Sequence, residues 1–334
     1  MTVDELVRAS GARLREAGVD TPDHDAKLLL AAAAGCELRD VDKAMLMGDD
    51  VAALPSSVGS GASAAAADDT AGMSVSDVSG VSADDDASDD ASESAIIARF
   101  DAMIARRARR EPLQHITGHA PFRYLDLLVG PGVFVPRPET ETVVQAGLDW
   151  ITEHGLYGPR VVDLCAGSGA IGLAVVTEVP GAQVWAVERS PEAYAWTERN
   201  RDRVASANPS AGCNYQLELG DATSRFVLPQ LDGTIDLVIT NPPYVPLSQI
   251  PQQPEARDHD PDMALYGGAA DGLDIPERIV DRAAALLRAG GALVMEHDVS
   301  QGDALVTYAL SHGFSTARTG RDWTGRERYL VAER

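Results

Sequence analysis

The chain has 334 residues, 45% of them apolar and 24% charged, which is ordinary globular composition with room for two domains. No apolar run is long enough to cross a membrane, and the N-terminus lacks a basic stretch followed by an apolar core, so we expect neither a membrane span nor a signal peptide. The formal net charge of −23 argues against stable nucleic-acid binding, and three widely separated cysteines predict a cytoplasmic protein without disulfides or a metal site.

The first 111 residues carry helical signals, and we predict that they form a small N-terminal helical domain. A capping box opens at Thr2, and apolar residues then recur at helical spacing. A second helix is predicted over residues 21–35, from a proline-containing start to a glycine stop. A third ends in an arginine cluster at residues 106–110, where cations suit the helix dipole; contact with an acidic partner is the alternative.

An acidic segment, residues 49–95, interrupts this domain. It holds eleven carboxylates and neither lysine nor arginine, and 38 of its 47 residues are Ala, Ser, Asp, Glu or Gly. A segment of this composition cannot bury enough apolar surface to offset the entropy that ordering would cost. We therefore predict a disordered insertion, with a salt-adapted or partner-binding acidic tail as the alternative.

The sequence pattern changes after residue 111. Short apolar runs punctuated by glycine and proline over residues 112–136 predict a β-hairpin linker, and residues 137–334 alternate between strand and helix patterns, which predicts a separate α/β domain. Strands separated by helices of this length indicate a parallel sheet covered on both faces. The predicted strands are RVVDLC (160–165), QVWAVE (183–188), YQLELG (215–220), TIDLVIT (234–240) and ALVMEH (292–297), and a helix, PERIVDRAAALLRAGG (276–291), precedes the last of them.

A glycine-rich turn follows the first of these strands. Glycines at this point let the backbone turn sharply and let a ligand approach where a side chain would block it. Ligands of open α/β sheets bind at the carboxyl ends of the strands, where this turn lies. The turn runs from Asp163 to Gly172 and includes Cys165, Ala166, Gly167, Ser168 and Gly169.

Two further acids follow the next two strands. Glu188 ends the second strand, about twenty residues after the glycine turn, where a carboxylate can accept hydrogen bonds from both hydroxyls of a ribose. Asp221 follows the third strand, where its carboxylate or the neighbouring Ala222 could meet an adenine amino group. The pattern predicts an adenosine-containing cofactor and, up to this point, leaves a dinucleotide open.

The fourth strand ends in Asn241, Pro242, Pro243 and Tyr244. Consecutive prolines donate no backbone hydrogen bond, so they leave the strand pairing and hold carbonyl acceptors in a fixed geometry. The Asn241 side chain offers a donor and an acceptor, and Tyr244 offers a flat wall. Acceptors on the two hydrogens of a planar NH2 group would restore electron density to its nitrogen and aim the lone pair at a methyl sulfonium, so these four residues are the candidate catalytic and substrate-binding group.

This constellation resembles the class I S-adenosylmethionine-dependent methyltransferases, and within them the HemK/PrmC family of protein-glutamine N5-methyltransferases, in its release-factor-specific subfamily. The resemblance covers nearly the whole chain outside residues 49–95. It implies an α/β, Rossmann-like fold with a seven-stranded, mostly parallel sheet and a small N-terminal helical domain. The motifs that carry it are PLQHITG (112–118), VPRPETE (135–141), DLCAGSG (163–169), NPPY (241–244), DGLD (271–274), EH (296–297) and GRER (325–328).

The resemblance implies a cofactor, a reaction and a partner. The cofactor is S-adenosyl-L-methionine, and the methyl acceptor is the side-chain amide nitrogen of the glutamine in the Gly-Gly-Gln motif of class 1 peptide-chain release factors. It places the cofactor on residues 163–169, Glu188, the Asp221–Ala222 pair and Asn241. It also places Phe122 and the turn of Pro138, Glu139 and Thr140 in a lid over the methionine end. The chain departs from the family where Asp260-Pro261 replaces the usual Glu-Pro.

Two other substrate classes stay open at this stage. An N6-adenine amino-methyltransferase acting on DNA or RNA would use the same Asn-Pro-Pro-Tyr acceptors around an NH2 group. Such an enzyme needs a basic groove, and this chain is acidic even without residues 49–95. A glutamine methyltransferase acting on a ribosomal protein is the other. We expect a monomer without stable nucleic-acid binding, and we expect Glu296-His297 to brace neighbouring loops or, less in keeping with the pattern, to accept a proton.

Overall fold

In a computed structural model, residues 1–55 and 85–334 are described, and their chain forms two compact units, residues 1–117 and 118–334. No helix within these described ranges is long and apolar enough to span a bilayer. The helices of the first unit are α1 (Val3–Glu16), α2 (Pro22–Ala34), α3 (Leu38–Met47), α4 (Asp85–Ala108) and α5 (Leu113–Thr117), with a 3₁₀ turn at Val51–Ala53.

The first unit forms as its local signals predict. The Thr2 hydroxyl accepts a hydrogen bond from the backbone N–H of Glu5, and the Glu5 carboxylate accepts one from the backbone N–H of Thr2, which completes the capping box of α1. Helix α2 ends at Gly35, whose positive φ of 69° a glycine adopts without strain. The helices pack around fully buried aliphatic and aromatic side chains, of which Leu14, Leu29, Leu30, Phe100 and Ile104 are the largest.

The prediction that residues 49–95 form a disordered insertion is wrong at both ends of the segment. Val51 and Leu54 are buried in the helical core, and residues 85–95 belong to α4. Composition averaged over the whole segment hid these edges, because a few apolar residues suffice to anchor a chain end to a core. The central part of the insertion, residues 56–84, lies outside the described residues.

The second unit contains two sheets with their covering helices. Its elements are β1 (His119–Phe122), β2 (Leu125–Leu128), α6 (Pro138–Glu153), β3 (Arg160–Leu164), α7 (Ala170–Glu178), β4 (Gln183–Glu188), α8 (Pro191–Ala207), α9 (Pro209–Cys213), β5 (Tyr215–Leu219), β6 (Ile235–Thr240), α10 (Pro254–His259), α11 (Asp262–Leu265), α12 (Asp274–Leu286), β7 (Leu287–Glu296), α13 (Gly302–Ser311), β8 (Thr316–Arg321) and β9 (Glu327–Glu333), with a 3₁₀ turn at Pro229–Leu231.

Within the described chain, the larger sheet has seven strands in the order β5-β4-β3-β6-β7-β9-β8. The five strands from β5 to β7 pair in parallel, and β9 pairs antiparallel with β7 on one side and β8 on the other. The seven-stranded, mostly parallel sheet predicted from the sequence is thus confirmed. The order reverses at β3, between β4 and β6, and such a switch point is where open α/β sheets bind ligands.

The central strands of this sheet are buried on both faces. Val161 packs into the core on the side of α6 and α7, and its neighbour Val162 packs into the core on the side of α12 and α13. The same alternation separates Leu237 from Val238 on β6. This explains the continuous apolar runs from which the parallel sheet was predicted.

Two predicted boundaries differ from the structure. The linker predicted over residues 112–136 is divided, because residues 113–117 form α5 of the first unit whereas the β1–β2 hairpin belongs to the second. The helix predicted to run to residue 291 ends at Leu286, and β7 begins at once with Leu287. The apolar pair Leu286 and Leu287 fits a helix and a buried strand equally well, so periodicity alone could not locate the change.

Candidate active site

The main cleft of the second unit lies at the carboxyl ends of four neighbouring parallel strands. The ends of β3, β4, β5 and β6 and the segments after them form its floor, and further walls come from the chain before α6, from the start of α6 and from α11. The floor residues are Cys165, Ala166, Gly167, Ser168, Val187, Glu188, Arg189, Ser190, Asp221, Ala222, Thr223, Asn241, Pro243, Tyr244 and Val245, and the wall residues include Phe134, Pro136, Thr140, Met263 and Leu265.

The glycine-rich turn after β3 leaves open space above its backbone. Gly167 has a positive φ of 59°, and a β-carbon placed there would meet no atom within 4 Å. Cys165 also has a positive φ, 67°, which is strained for a residue that carries a side chain. Burial raises the pKa of the Cys165 thiol far above its usual range, so this sulfur stays protonated and is no nucleophile. The turn is shaped for a ligand to lie against its backbone.

Asp163 supports this turn from below. Its side chain is fully buried, and its Oδ2 accepts a hydrogen bond of 2.9 Å from the backbone N–H of Gly172. Among the described residues, Oδ1 has no hydrogen-bond partner. Burial raises the pKa of Asp163 to about 8, the bond from Gly172 opposes the rise, and the nearby Glu188 adds to it. The carboxyl group is therefore protonated at neutral pH and holds the start of α7 against β3.

Glu188 connects the ends of β3 and β4. Its Oε2 accepts a hydrogen bond from the backbone N–H of Gly167 at 2.8 Å, and its Oε1 accepts one from Ser190 at 2.7 Å. Each carboxylate oxygen keeps a second lone pair, so the group can also accept from two vicinal hydroxyls of a ligand. Burial raises the pKa of Glu188, and the backbone bonds oppose that rise.

The acid after β5 lies at the same end of the cleft. Asp221 Oδ1 accepts hydrogen bonds from the backbone N–H and the hydroxyl of Thr223, at 2.9 and 2.7 Å. Burial alone would raise the pKa of Asp221, but the two Thr223 bonds and the nearby Arg189 outweigh it and lower the pKa. Its Oδ2 lies 3.7 Å from Arg189 Nη1. Asp221 is thus an ionised acceptor beside the buried Ala222.

The Asn-Pro-Pro-Tyr segment leaves the sheet at the end of β6, as predicted. Asn241, Pro243 and Tyr244 line the cleft, whereas Pro242 is buried beneath them. The side-chain Nδ2 of Asn241 donates a hydrogen bond to the hydroxyl of Thr140 at 3.2 Å. An amide side chain, two prolines without N–H groups and an aromatic wall thus stand together at one edge of the cleft.

A buried acid that the sequence did not assign to catalysis underlies this segment. Glu296, at the carboxyl end of β7, is 2% exposed and accepts hydrogen bonds from Thr140 at 2.7 Å and from the Tyr244 hydroxyl at 2.9 Å. Burial raises the pKa of Glu296, and these two bonds together with the nearby Arg328 oppose the rise. The predicted bracing role of this residue therefore extends to two cleft-lining side chains.

A second cavity, called the side cavity here, adjoins the main cleft. The two share Phe134, Tyr244, Val245 and Leu265 as walls. The other walls of the side cavity include charged side chains of Arg137, Glu139, Glu296, Asp298 and Arg328 and the loop that precedes α10. Tyr244 therefore stands between two concave spaces, one of which is bounded by the glycine turn and the other by charged side chains.

Some predicted site residues lie elsewhere. Phe122 is 1% exposed and packs in the hydrophobic core, because the alternation of β1 turns it inward. Asp163 and Gly169 lie below the cleft surface, and Glu139 borders the side cavity instead of the main cleft. The structure therefore does not bring Phe122 and Glu139 into the cleft, although it brings Thr140 there.

Sequence reasoning missed several cleft walls. Phe134 and Pro136 fall in the predicted linker, and Met263 and Leu265 belong to the short helix α11. The departure at residue 260 does have a structural role: Asp260 is buried and accepts a hydrogen bond of 2.6 Å from Arg137. This ion pair ties the chain just before α6 to the chain just before α11, and both segments line the cleft.

The sheet order, the glycine turn and the acid at the end of β4 together define a class I S-adenosylmethionine-dependent methyltransferase. The open space above Gly167 and the two free lone pairs of Glu188 fit the adenosine part of that cofactor. The class predicted from the sequence is confirmed.

Comparison with known proteins narrows the class. A family model described as PrmC N-terminal domain matches residues 87–118, and one described as Conserved hypothetical protein 95 matches residues 114–255. The chain is 58% identical over 332 residues to the release factor glutamine methyltransferase of Bifidobacterium longum, covering 99% of each chain, and 36% identical over 338 residues to that of Corynebacterium glutamicum, covering 100% of this chain and 99% of the other. The solved magnesium protoporphyrin IX methyltransferase of Synechocystis PCC 6803 aligns with a TM-score of 0.41 and 19% identity, over 58% of this chain and 79% of its own. The chain belongs to the release factor glutamine methyltransferase family.

Proposed function

We propose that this protein transfers the methyl group of S-adenosyl-L-methionine to the side-chain amide nitrogen of the glutamine in the Gly-Gly-Gln motif of class 1 peptide-chain release factors. The observation that carries the proposal is the position of Asn241 and Tyr244 at the edge of the main cleft, beside the glycine turn. Family membership supports the same substrate, because the relatives reported above are named for it.

The cofactor-holding residues follow from the cleft. We propose that Glu188 accepts from the ribose hydroxyls, that Asp221 accepts from the adenine amino group and that the cofactor lies against the backbone at Gly167, since all three residues line the cleft. When bound, the cofactor supplies a methyl group on a positively charged sulfur. Thr140 and Asn241 line the part of the cleft beside the Asn-Pro-Pro-Tyr segment, and we expect the methyl group there.

The chain activates the glutamine nitrogen by placing acceptors around it. An amide nitrogen is a poor nucleophile because its lone pair is delocalised into the carbonyl group. We propose that the Asn241 side-chain oxygen and the backbone carbonyl of Pro242 accept from the two N–H bonds and that Tyr244 packs against the flat carboxamide. Positioning and electrostatics of this kind account for most of the expected acceleration. A strong base is unnecessary, since the amide proton becomes acidic only as the new bond forms and can then leave to water.

We propose that the glutamine side chain of the protein substrate enters through the side cavity, because this cavity shares Tyr244 and three other wall residues with the main cleft. Its charged walls offer partners for the backbone of a glycine-rich loop. We further propose that the protein acts as a cytoplasmic monomer without stable nucleic-acid binding, in keeping with its net charge of −23.

Mass spectrometry of candidate acceptors tests the proposal. Release factor, large-subunit ribosomal protein and duplex DNA are each incubated with the protein and S-adenosyl-L-methionine. We expect a mass increase of one CH2 group on the Gly-Gly-Gln peptide of the release factor. Methylation of the ribosomal protein or the DNA, with the release factor unmodified, would overturn the proposed substrate.

Asn241→Ala is the matching variant. Because it removes an acceptor aimed at the reacting nitrogen, we expect release factor methylation to fall by about 10²–10³-fold. The cofactor dissociation constant, measured by calorimetry, should weaken much less. Full turnover by this variant would refute the assignment of Asn241.

A further inference from the structure

A chain of hydrogen bonds runs from a buried acid to the side chain of Asn241. Glu296 Oε2 accepts from the hydroxyl of Thr140 at 2.7 Å, and the Thr140 oxygen accepts from Asn241 Nδ2 at 3.2 Å. Thr140 is 4% exposed and Glu296 is 2% exposed, so water competes little with either bond. The other oxygen of Glu296 accepts from the Tyr244 hydroxyl at 2.9 Å.

The chemistry of the groups fixes the direction of this chain. Both oxygens of Glu296 are acceptors, Oε2 from Thr140 and Oε1 from Tyr244, and a hydroxyl has one hydrogen to donate. The Thr140 hydrogen therefore goes to Glu296, which leaves its oxygen with lone pairs alone for Asn241. Of the two ends of the Asn241 amide, only Nδ2 can donate to them. The amide oxygen, Oδ1, must then point the other way.

The opposite end of the Asn241 amide belongs to the main cleft. Asn241 lines that cleft, and among the described residues no group donates a hydrogen bond to Oδ1. An asparagine whose amide could turn over would present its NH2 group to the cleft in part of the molecules. That orientation would set N–H against the N–H of an incoming carboxamide, which is repulsive and withdraws electron density from the reacting nitrogen.

We infer that Glu296 is a positioning residue for methyl transfer: through the hydroxyl of Thr140 it fixes the orientation of the Asn241 amide, so that Oδ1 accepts from the glutamine nitrogen. The inference rests on the proposed function. Tyr244 is held by the other oxygen of the same carboxylate, so one buried acid orients both side chains that flank the carboxamide. Its position at the end of β7, next to β6 in the sheet, makes this possible.

The test uses a matched pair of variants at Thr140. Thr140→Val keeps the shape but removes the hydroxyl, and Thr140→Ser keeps the hydroxyl. Single-turnover methylation of release factor is measured at saturating cofactor, with the cofactor dissociation constant and the thermal midpoint measured in parallel. We expect the rate constant of Thr140→Val to fall by about 10–100-fold, the scale of one misdirected hydrogen bond in an active site, and that of Thr140→Ser to stay within about threefold of the wild type. The cofactor dissociation constant of both should change little, whereas the thermal midpoint of Thr140→Val should fall by a few degrees, because the buried Glu296 and Asn241 side chains each lose a partner.

A double-variant cycle tests the part played by the acid. Glu296→Leu removes the acceptor that directs the Thr140 hydroxyl, so we expect a loss similar to that of Thr140→Val. Since the two residues act through the same link, the double variant should be no slower than the slower single variant, within about threefold. If Glu296→Leu does not fold, the comparison of valine with serine at Thr140 decides alone.

The outcomes separate the two proposals. A wild-type protein that methylates release factor while Thr140→Val matches its rate would overturn the inference and leave the proposed function intact. Equal losses in the valine and serine variants, or independent losses that multiply in the double variant, would also overturn it. A wild-type protein that fails to methylate release factor would overturn the proposed function, and the inference would fall with it.

Discussion

The ion pair buried in the helical unit and the three acids buried at the cleft end of the sheet unit are held in different ways. In the helical unit, Asp25 and Arg107 are both buried, and the Arg107 Nε donates to Asp25 Oδ2 at 2.7 Å. In the sheet unit, Asp163, Glu188 and Glu296 are buried, and among the described residues they take their hydrogen bonds from backbone N–H and hydroxyl groups and form no ion pair. Burial raises the pKa of all three.

This contrast separates two uses of a buried charge. A carboxylate matched by a buried guanidinium fixes the packing of helices. Carboxyl groups held by neutral donors keep lone pairs or protons available, and these three lie at the carboxyl ends of strands, at or below the main cleft. We therefore expect changes at the ion pair to act on stability, and changes at the sheet acids to act on ligand binding, catalysis or the pH dependence of stability.

The largest expected effect on stability is at the ion pair. Asp25→Ala removes the buried carboxylate to which Arg107 Nε donates, and we expect the free energy of unfolding to fall by about 3–5 kcal/mol. Urea unfolding followed by circular dichroism measures it. The double variant Asp25→Ala/Arg107→Leu should regain most of the loss, because both charges of the pair are then absent. If Asp25→Ala is as stable as the wild type, the buried ion pair does not stabilise the helical unit and the contrast is wrong.

A pH-dependent effect of similar size is expected at Asp163. Its pKa is about 8 when folded and near 3.8 when unfolded, so the folded state binds its proton more tightly. The stability that this group contributes is complete below pH 3.8 and is lost as the pH rises through 8. Between about pH 5 and pH 8, we expect the unfolding free energy of the wild type to fall by as much as about 4 kcal/mol relative to that of Asp163→Asn. Parallel pH profiles of the two proteins would refute the raised pKa.

The next effect concerns cofactor affinity. Glu188→Gln replaces one carboxylate oxygen by an NH2 group, which would face a backbone N–H of Gly167 or Ser190 and could not accept from a ribose hydroxyl. We expect the cofactor dissociation constant, measured by calorimetry, to rise by about 10–100-fold, since two hydrogen bonds are disturbed. Glu192→Gln, the same change at an exposed position on α8, serves as the control and should bind normally. Equal affinities of the two variants would contradict the role of Glu188.

The smallest effect is expected at an exposed ion pair. Arg8 donates to Asp4 one turn away on α1 at 2.9 Å, but its side chain is 78% exposed. Arg8→Ala should lower the unfolding free energy by no more than about 0.5 kcal/mol, because solvent screens the pair. Urea unfolding of Arg8→Ala and Asp25→Ala under the same conditions compares the two losses of unfolding free energy. If Arg8→Ala lowers the unfolding free energy as much as Asp25→Ala does, burial does not determine how much an ion pair contributes to stability.

Much of the sheet unit could be predicted from the sequence because its signals are local. The continuous apolar runs are long enough to identify buried strands, and Cys165–Ser168, Glu188, Asp221 and Asn241 each follow directly after one. Parallel strands bring their carboxyl ends together, so residues far apart in the chain meet at one edge. All of these predicted residues line the cleft.

The rest depends on contacts that no local pattern records. The link from Glu296 through Thr140 to Asn241 joins residues over a hundred positions apart, and its direction follows only from the hydrogen-bond geometry. Phe122 was placed at the cofactor by family resemblance, but the pairing of β1 with β2 turns it into the core. The folded edges of the acidic segment depend on single apolar residues such as Val51, which composition averages away.

The place of β9 in the larger sheet has a consequence for how the chain folds as it is made. Strand β8 precedes β9 in the chain, yet it reaches the sheet only through β9, which lies between β8 and β7. During synthesis, residues 316–321 leave the ribosome before β9, their pairing partner, has been made. Until then, the edge of β7 that pairs with β9 also stays unpaired. We expect this unit to complete its sheet only after residues 327–333 have emerged from the ribosome.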